Sequence, residues 1–153
     1  MSEGHVTFRL VEGVPSSAGR AIGFLEGAGE LDASVEFSKL PANRSMYLLS
    51  SMSEWIGGIN HPKTRFHGWP NDEECQMCFV FKVKEKRLGR RFYGFLCNPF
   101  AGNPKFQVCV LCVHALKKEQ ETDRSELLRG CLRSLVLSSR TSISYYGGHA
   151  RVR

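Results

Sequence analysis

The stretch Lys82 to Glu126, KVKEKRLGRRFYGFLCNPFAGNPKFQVCVLCVHALKKEQETDRSE, decides the fold. With the residues just before it, it contains three runs rich in aromatic and β-branched residues: Met77 to Lys84, Arg90 to Leu96 and Phe106 to Ala115. Runs of this kind, bounded by polar or Gly/Pro-containing segments, read as strands. Lys86-Arg87-Leu88-Gly89 supplies the first turn and Asn98 to Lys105 the second, so an antiparallel meander is the simplest connection. Beyond it, Asp123 can cap a helix with Glu126 in the capping-box position, and Leu127, Leu128, Cys131, Leu132 and Leu135 fall on one face. That helix is expected to cover one side of the sheet.

Upstream, Pro41 suits a first helical turn, and Leu48, Leu49, Met52, Trp55 and Ile56 recur at helical spacing until Gly57-Gly58 stops them. Ala33 to Ser38 puts Val35 and Phe37 on one side and Ser34, Glu36 and Ser38 on the other, which predicts a half-buried first core strand. Asn60 to Glu74 has no periodicity and reads as a loop. His5 to Val11 alternates like a strand, whereas Glu12 to Glu30 is rich in Gly, Ser and Ala and reads as a loop or loose extension. The organisation expected is therefore a peripheral extension over residues 1–32, one α+β domain over 33–137, and a basic tail over 138–153 with room for a short edge strand at Ser142 to Tyr146. A chain of 153 residues with 42% hydrophobic content supports one core.

The net charge of +6 favours phosphate-rich or acidic partners. No apolar run reaches the roughly 20 residues that span a bilayer, and the N-terminus lacks the basic-then-apolar order of a signal peptide, so the cytoplasm is the expected compartment. Six cysteines include two pairs at zinc-ligand spacing, Cys75/Cys78 and Cys109/Cys112. Both pairs sit in strand-like contexts, where residues three apart point to opposite faces, so each pair is split across the sheet. No metal and no cofactor are expected, and the thiols are expected to be buried and reduced.

Lys82 and Lys84 share one face of their strand, as do Arg91, Tyr93 and Phe95 of theirs. If Lys84 pairs with Arg91, Lys82 lies near Tyr93 and one basic, aromatic face results; a slip of one residue brings in Arg90 instead. His114 ends the third strand on the side of Val108, Val110 and Cys112, with Lys117 and Lys118 beyond. Attack of a 2′-hydroxyl on its neighbouring phosphodiester needs a base, an acid and cations for the developing charge, roles that Lys, Arg, His and Tyr can divide.

The order strand, helix, three antiparallel strands and helix resembles the RelE/ParE superfamily of toxins, in particular its HigB-related and phage-derived branch. The motifs that carry the resemblance are Arg90-Arg91-Phe92-Tyr93-Gly94-Phe95, then Lys117-Lys118 with Thr122 and Glu126 following. Ala115 stands where the family usually has Phe, and Asp123 where it often has Pro. The resemblance implies a toxin that cuts messenger RNA on the ribosome without a metal until a cognate antitoxin covers its basic face. It implies Lys82, Lys84, Arg91 and His114 as the catalytic set, and Arg90, Tyr93, Lys117 and Lys118 as the RNA-binding set. The alternative is a non-enzymatic toxin that binds gyrase or nucleic acid through the same face.

Overall fold

The structure is a computed structural model that describes residues 4–26, 33–59, 65–73, 76–100, 102–117, 141–146 and 151–152. Its strands are β1 (Gly4–Leu10), β2 (Arg20–Glu26), β3 (Phe66–Gly68), β4 (Cys78–Glu85), β5 (Leu88–Cys97), β6 (Gln107–Lys117), β7 (Thr141–Tyr146) and β8 (Arg151–Val152). Two helices are described, α1 (Ala33–Ser38) and α2 (Ala42–Ile56). The strands form one open mixed sheet in the order β3-β4-β5-β6-β2-β1-β7-β8. β4, β5 and β6 make the expected antiparallel meander, and β2 then runs parallel to β6. A strand forms where an edge strand was expected near Ser142, but this strand, β7, is not an edge, since it pairs in parallel with β1 on one side and with β8 on the other. The capped helix expected from Asp123 lies outside the described residues.

Both faces of the sheet are buried. On one, Ile22, Phe24, Phe79, Phe81, Phe92 and Leu111 pack against Leu48, Met52 and Trp55 of α2. On the other, Val80, Tyr93, Phe95, Val108, Val110 and Cys112 form a second core, with Leu10, Trp69, Phe100 and Phe106 packed against it. Burial on two faces explains why Val108 to Val113 is continuously apolar rather than alternating. Among the described residues, no helix is long and apolar enough to cross a membrane.

Several expectations need correction. Ala33 to Ser38 is a helix, not a strand. Ala33 and Leu40 are buried and Phe37 packs beside them, a spacing of four and then three that is helical and that outweighs the short alternation of Val35 with Phe37. Residues 12–30 are not all loop, and residues 4–26 are not peripheral, because β2 lies inside the sheet between β6 and β1. Ala21 and Gly23 look like loop composition, but they pair with Val108 and Val110 in the middle of the sheet. Within the expected loop after α2, Phe66 to Gly68 adds a short edge strand beside β4.

Arg20 fastens α2 to this arrangement. Its guanidinium donates to the Trp55 carbonyl at 2.5 Å and sits 4.6 Å from the centre of the Trp55 ring. A cation thus meets the carbonyl-rich end of the helix, where it is favoured.

The cysteines divide between the faces. Cys109 belongs to the helix-side core and Cys112 to the opposite one, as residues three apart on a strand should. Cys97, Cys109 and Cys112 carry buried thiols; burial pushes the Cys97 thiol up to about 12 and the Cys109 thiol well above its ordinary value. They act as packing groups rather than nucleophiles. Cys78 departs from the all-reduced expectation, which rested on compartment and not on geometry: it is disulfide-bonded.

The β4–β5 turn is tighter than predicted. It consists of Lys86 and Arg87 alone, so Lys84 pairs with Gly89 and Lys82 with Arg91. Lys86 carries a φ of 59°, a left-handed conformation that disfavours side chains other than those of Asn and Asp. Only the first of the two turn residues has a positive φ, the pattern that favours Gly there, so Lys86→Gly is expected to raise stability by roughly 0.5–1 kcal/mol, the relieved strain less the backbone entropy of glycine, checked by urea unfolding of the two proteins side by side.

Candidate functional site

The position of His114 is set by an irregularity two residues before it on the same strand. β5 and β6 pair regularly from Gly89/Lys117 to Tyr93/Val113, but Gly94 then pairs with Leu111, leaving Cys112 as an extra residue. A bulge of this kind breaks the strict alternation of side chains. His114 consequently leaves the side of Val108 and Val110, where the spacing had placed it, and joins the helix side, its ring 4.9 Å from that of Phe92.

Gly94 permits the bulge. A Cβ at this position would collide with the Val110 carbonyl oxygen and stand 3.0 Å from Leu111 Cα. The two strands approach too closely there for any side chain.

On the helix side His114 meets Arg90 and Glu36. Arg90 Nη1 lies 3.4 Å from His114 Nε2 and 3.8 Å from Glu36 Oε2. Arg90 reaches this place because it is two residues from Phe92 on β5 and shares its face. Glu36 is delivered by α1, which is held down by its next residue: the Phe37 ring lies 5.4 Å from Phe24 and 6.0 Å from Phe92. Lys39, one turn along, forms a second ion pair with Glu36 at 3.5 Å. The Glu36 and Arg90 side chains remain 28% and 20% exposed, so the trio borders solvent.

An arginine N–H can only donate, so Nε2 of His114 accepts and its proton sits on Nδ1. The His114 pKa is lowered from 6.5, chiefly by burial and further by the Arg90 charge, while Glu36 works in the opposite direction. The imidazole is therefore a neutral base near neutral pH, beside a cation and a carboxylate. Removing the carboxylate charge with Glu36→Gln takes away the contribution that favours the imidazolium, so the His114 titration should move to still lower pH. A ring-proton NMR titration of the two proteins reads this directly.

The other sequence-predicted residues go elsewhere. Lys82 and Arg91 face each other on the sheet side away from α1 and α2, so they do not join His114. Arg91 is only 3% exposed and Tyr93 is buried within the second core, which removes both from a surface that could grip phosphate or stack on a base. Lys84 is exposed, opposite Gly89, and Gly89 is in turn opposite Lys117. Lys118 lies outside the described residues. Of the two adjacent arginines it is Arg90, assigned only a binding role from the sequence, that stands beside the histidine. Glu36 was missed, because its segment reads as the polar side of a strand; the helical spacing of Ala33, Phe37 and Leu40 was the signal available.

Among the described residues, no three His, Cys, Asp or Glu side chains are grouped so as to hold a metal ion. Comparison of the chain with protein-family models, with curated proteins and with solved structures returns no match.

Proposed function

We propose that the protein cleaves RNA, with Glu36, Arg90 and His114 carrying the chemistry. The observation that carries this reading is the arrangement of a neutral imidazole, a guanidinium and a carboxylate within 3.4 and 3.8 Å contacts at the solvent border. His114 Nε2 takes the proton of a 2′-hydroxyl as that oxygen attacks the adjacent phosphorus. Arg90 turns from the histidine to the phosphate and stabilises the charge that develops on its oxygens. Glu36 stabilises the imidazolium that forms. The imidazolium then gives its proton to the departing 5′-oxygen as the phosphorus–oxygen bond breaks. The products are a 2′,3′-cyclic phosphate and a 5′-hydroxyl.

The biological setting that fits this activity is the toxin of a RelE/ParE-type toxin–antitoxin pair, acting on messenger RNA on the ribosome and silenced by its antitoxin. Its support is the basic-aromatic run Arg90 to Phe95 in the middle strand of the antiparallel meander β4-β5-β6, while β1 ahead of β2 and β3 between α2 and β4 depart from the order of that superfamily. The net charge of +6 suits a phosphate-rich target.

Two measurements test the reading. Purified protein is incubated with an end-labelled oligoribonucleotide, and the chemistry of the product ends is determined. Transcripts are also mapped after brief induction in cells. Cyclic-phosphate ends that depend on His114 support it; growth arrest with transcripts uncut points to the non-catalytic alternative.

A further inference from the structure

The end of the sheet next to this site carries a second feature that the chemistry does not use. The β4–β5 hairpin projects Lys84, Lys86 and Arg87, all exposed, within four positions of chain. Lys86 holds its left-handed φ of 59° at the tip, where Gly would sit without strain. A cation is thus kept at a backbone position that disfavours it, which points to a use for the charge. Beside the tip, Leu116 pairs directly with Arg90 across β5 and β6 and is 50% exposed. Leu88 shares the Arg90 face two residues toward the tip and is half-buried. Arg90 is therefore flanked by two leucines at the border of solvent, with the cationic turn beyond them.

We propose that this ledge is the subsite for the nucleotide next to the one cut, with the base lying on Leu116 and Leu88 and the backbone phosphates held by Lys86 and Arg87. The proposal rests on the RNA-cleavage reading and names what the site recognises: single-stranded RNA rather than duplex. The faces of the bases must be free to lie on the leucines, and in a duplex they are stacked on one another. The order along β5, from cationic turn through Leu88 to Arg90, sets the strand's path, with the phosphate to be cut at Arg90 and His114 and its neighbour at the tip.

The test uses a labelled 2′-O-methyl oligoribonucleotide, which cannot be cut because its 2′-oxygen is blocked. Its binding to full-length protein is measured by fluorescence anisotropy across a salt series, next to the matching duplex and to inorganic polyphosphate. The double variant Lys86→Ala/Arg87→Ala should weaken single-strand binding by about tenfold at low salt and flatten the dependence of log K on log salt by roughly 1.4, at about 0.7 for each phosphate that is no longer neutralised. Leu116→Ala should weaken binding of the oligonucleotide without changing that slope, and should leave polyphosphate binding unchanged. Lys86→Gly separates the charge from the fold, since it relaxes the turn yet should bind less tightly.

Unaltered affinity and slope in the double variant would overturn the subsite while ordinary RNA is still cut, leaving the catalytic reading in place. So would duplex binding as tight as single-strand binding, or a silent Leu116→Ala. Binding that responds as expected in a protein that cuts no RNA keeps the subsite and removes the catalysis. A protein that neither binds the blocked strand nor cuts the ordinary one loses both.

Discussion

Replacing His114 with alanine is expected to lower RNA cleavage by about 10²- to 10⁴-fold, the range for loss of a positioned general base, with the fold retained because the side chain is only half-buried. The pH profile carries a sharper signature. His114 must be neutral to accept a proton, and its pKa is lowered from 6.5 by burial and by Arg90 against the pull of Glu36. The acid limb of the rate profile should therefore fall below pH 6.5, and Glu36→Gln should carry it lower.

The same shift makes stability depend on pH. Above the ordinary value the ring is neutral in both the folded and the unfolded chain. Between that value and the lowered folded one, the unfolded chain takes up a proton that the folded chain refuses, so stability falls as the pH falls through this window. Urea unfolding at about pH 7.5 and about pH 5.5 should show a loss of stability on acidification that is smaller in His114→Gln. Cleavage that persists in His114→Ala, or an acid limb indifferent to Glu36, would remove this trio from the mechanism.

Gly94→Ala is the substitution expected to damage the fold most. The new methyl would meet the Val110 carbonyl and Leu111 Cα across the bulge, in backbone that cannot yield as a flexible side chain could. Overpacking of this severity costs about 3 kcal/mol, or roughly 6–12 °C of melting temperature for a chain of this size. Gly102→Ala is the control, because nothing lies within 4 Å of its added Cβ; its stability should change by no more than about 0.5 kcal/mol. Gly94→Ala should also lose RNA cleavage beyond what unfolding explains. A strand that relieves the clash by dissolving the bulge returns His114 to the alternation, on the face away from Arg90 and Glu36. Thermal denaturation, with cleavage measured well below the melting point, separates the two effects. Wild-type melting behaviour in Gly94→Ala would mean that the two strands leave room for a side chain at the bulge.

The meander and α2 were legible in the sequence because each is specified locally. Aromatic and β-branched runs between turn residues, and leucines at helical spacing ended by Gly57-Gly58, need no distant contact to be recognised. α1 was not legible in six residues, where two apolar positions two apart fit a strand as well as a helix. The helical spacing shows only when Leu40, beyond those six residues, is counted with Ala33 and Phe37, and the cover that Phe37 gives Phe24 and Phe92 then favours the helix. β2 was hidden for a related reason: the centre of a mixed sheet accepts Ala21 and Gly23, which on their own read as loop.

The sequence by itself determined the ingredients at the candidate site. It supplied a histidine near the end of the third strand, two adjacent arginines, a basic hairpin and a net charge of +6. Which arginine meets the histidine, and that Glu36 joins them, was decided by tertiary structure alone. Alternation assigns faces only while pairing is regular. The two-residue turn fixed the partners of Lys82 and Lys84, and one extra residue at Cys112 reversed the side of everything after it. A bulge depends on how closely two strands approach, a property of the pair that neither strand's sequence contains.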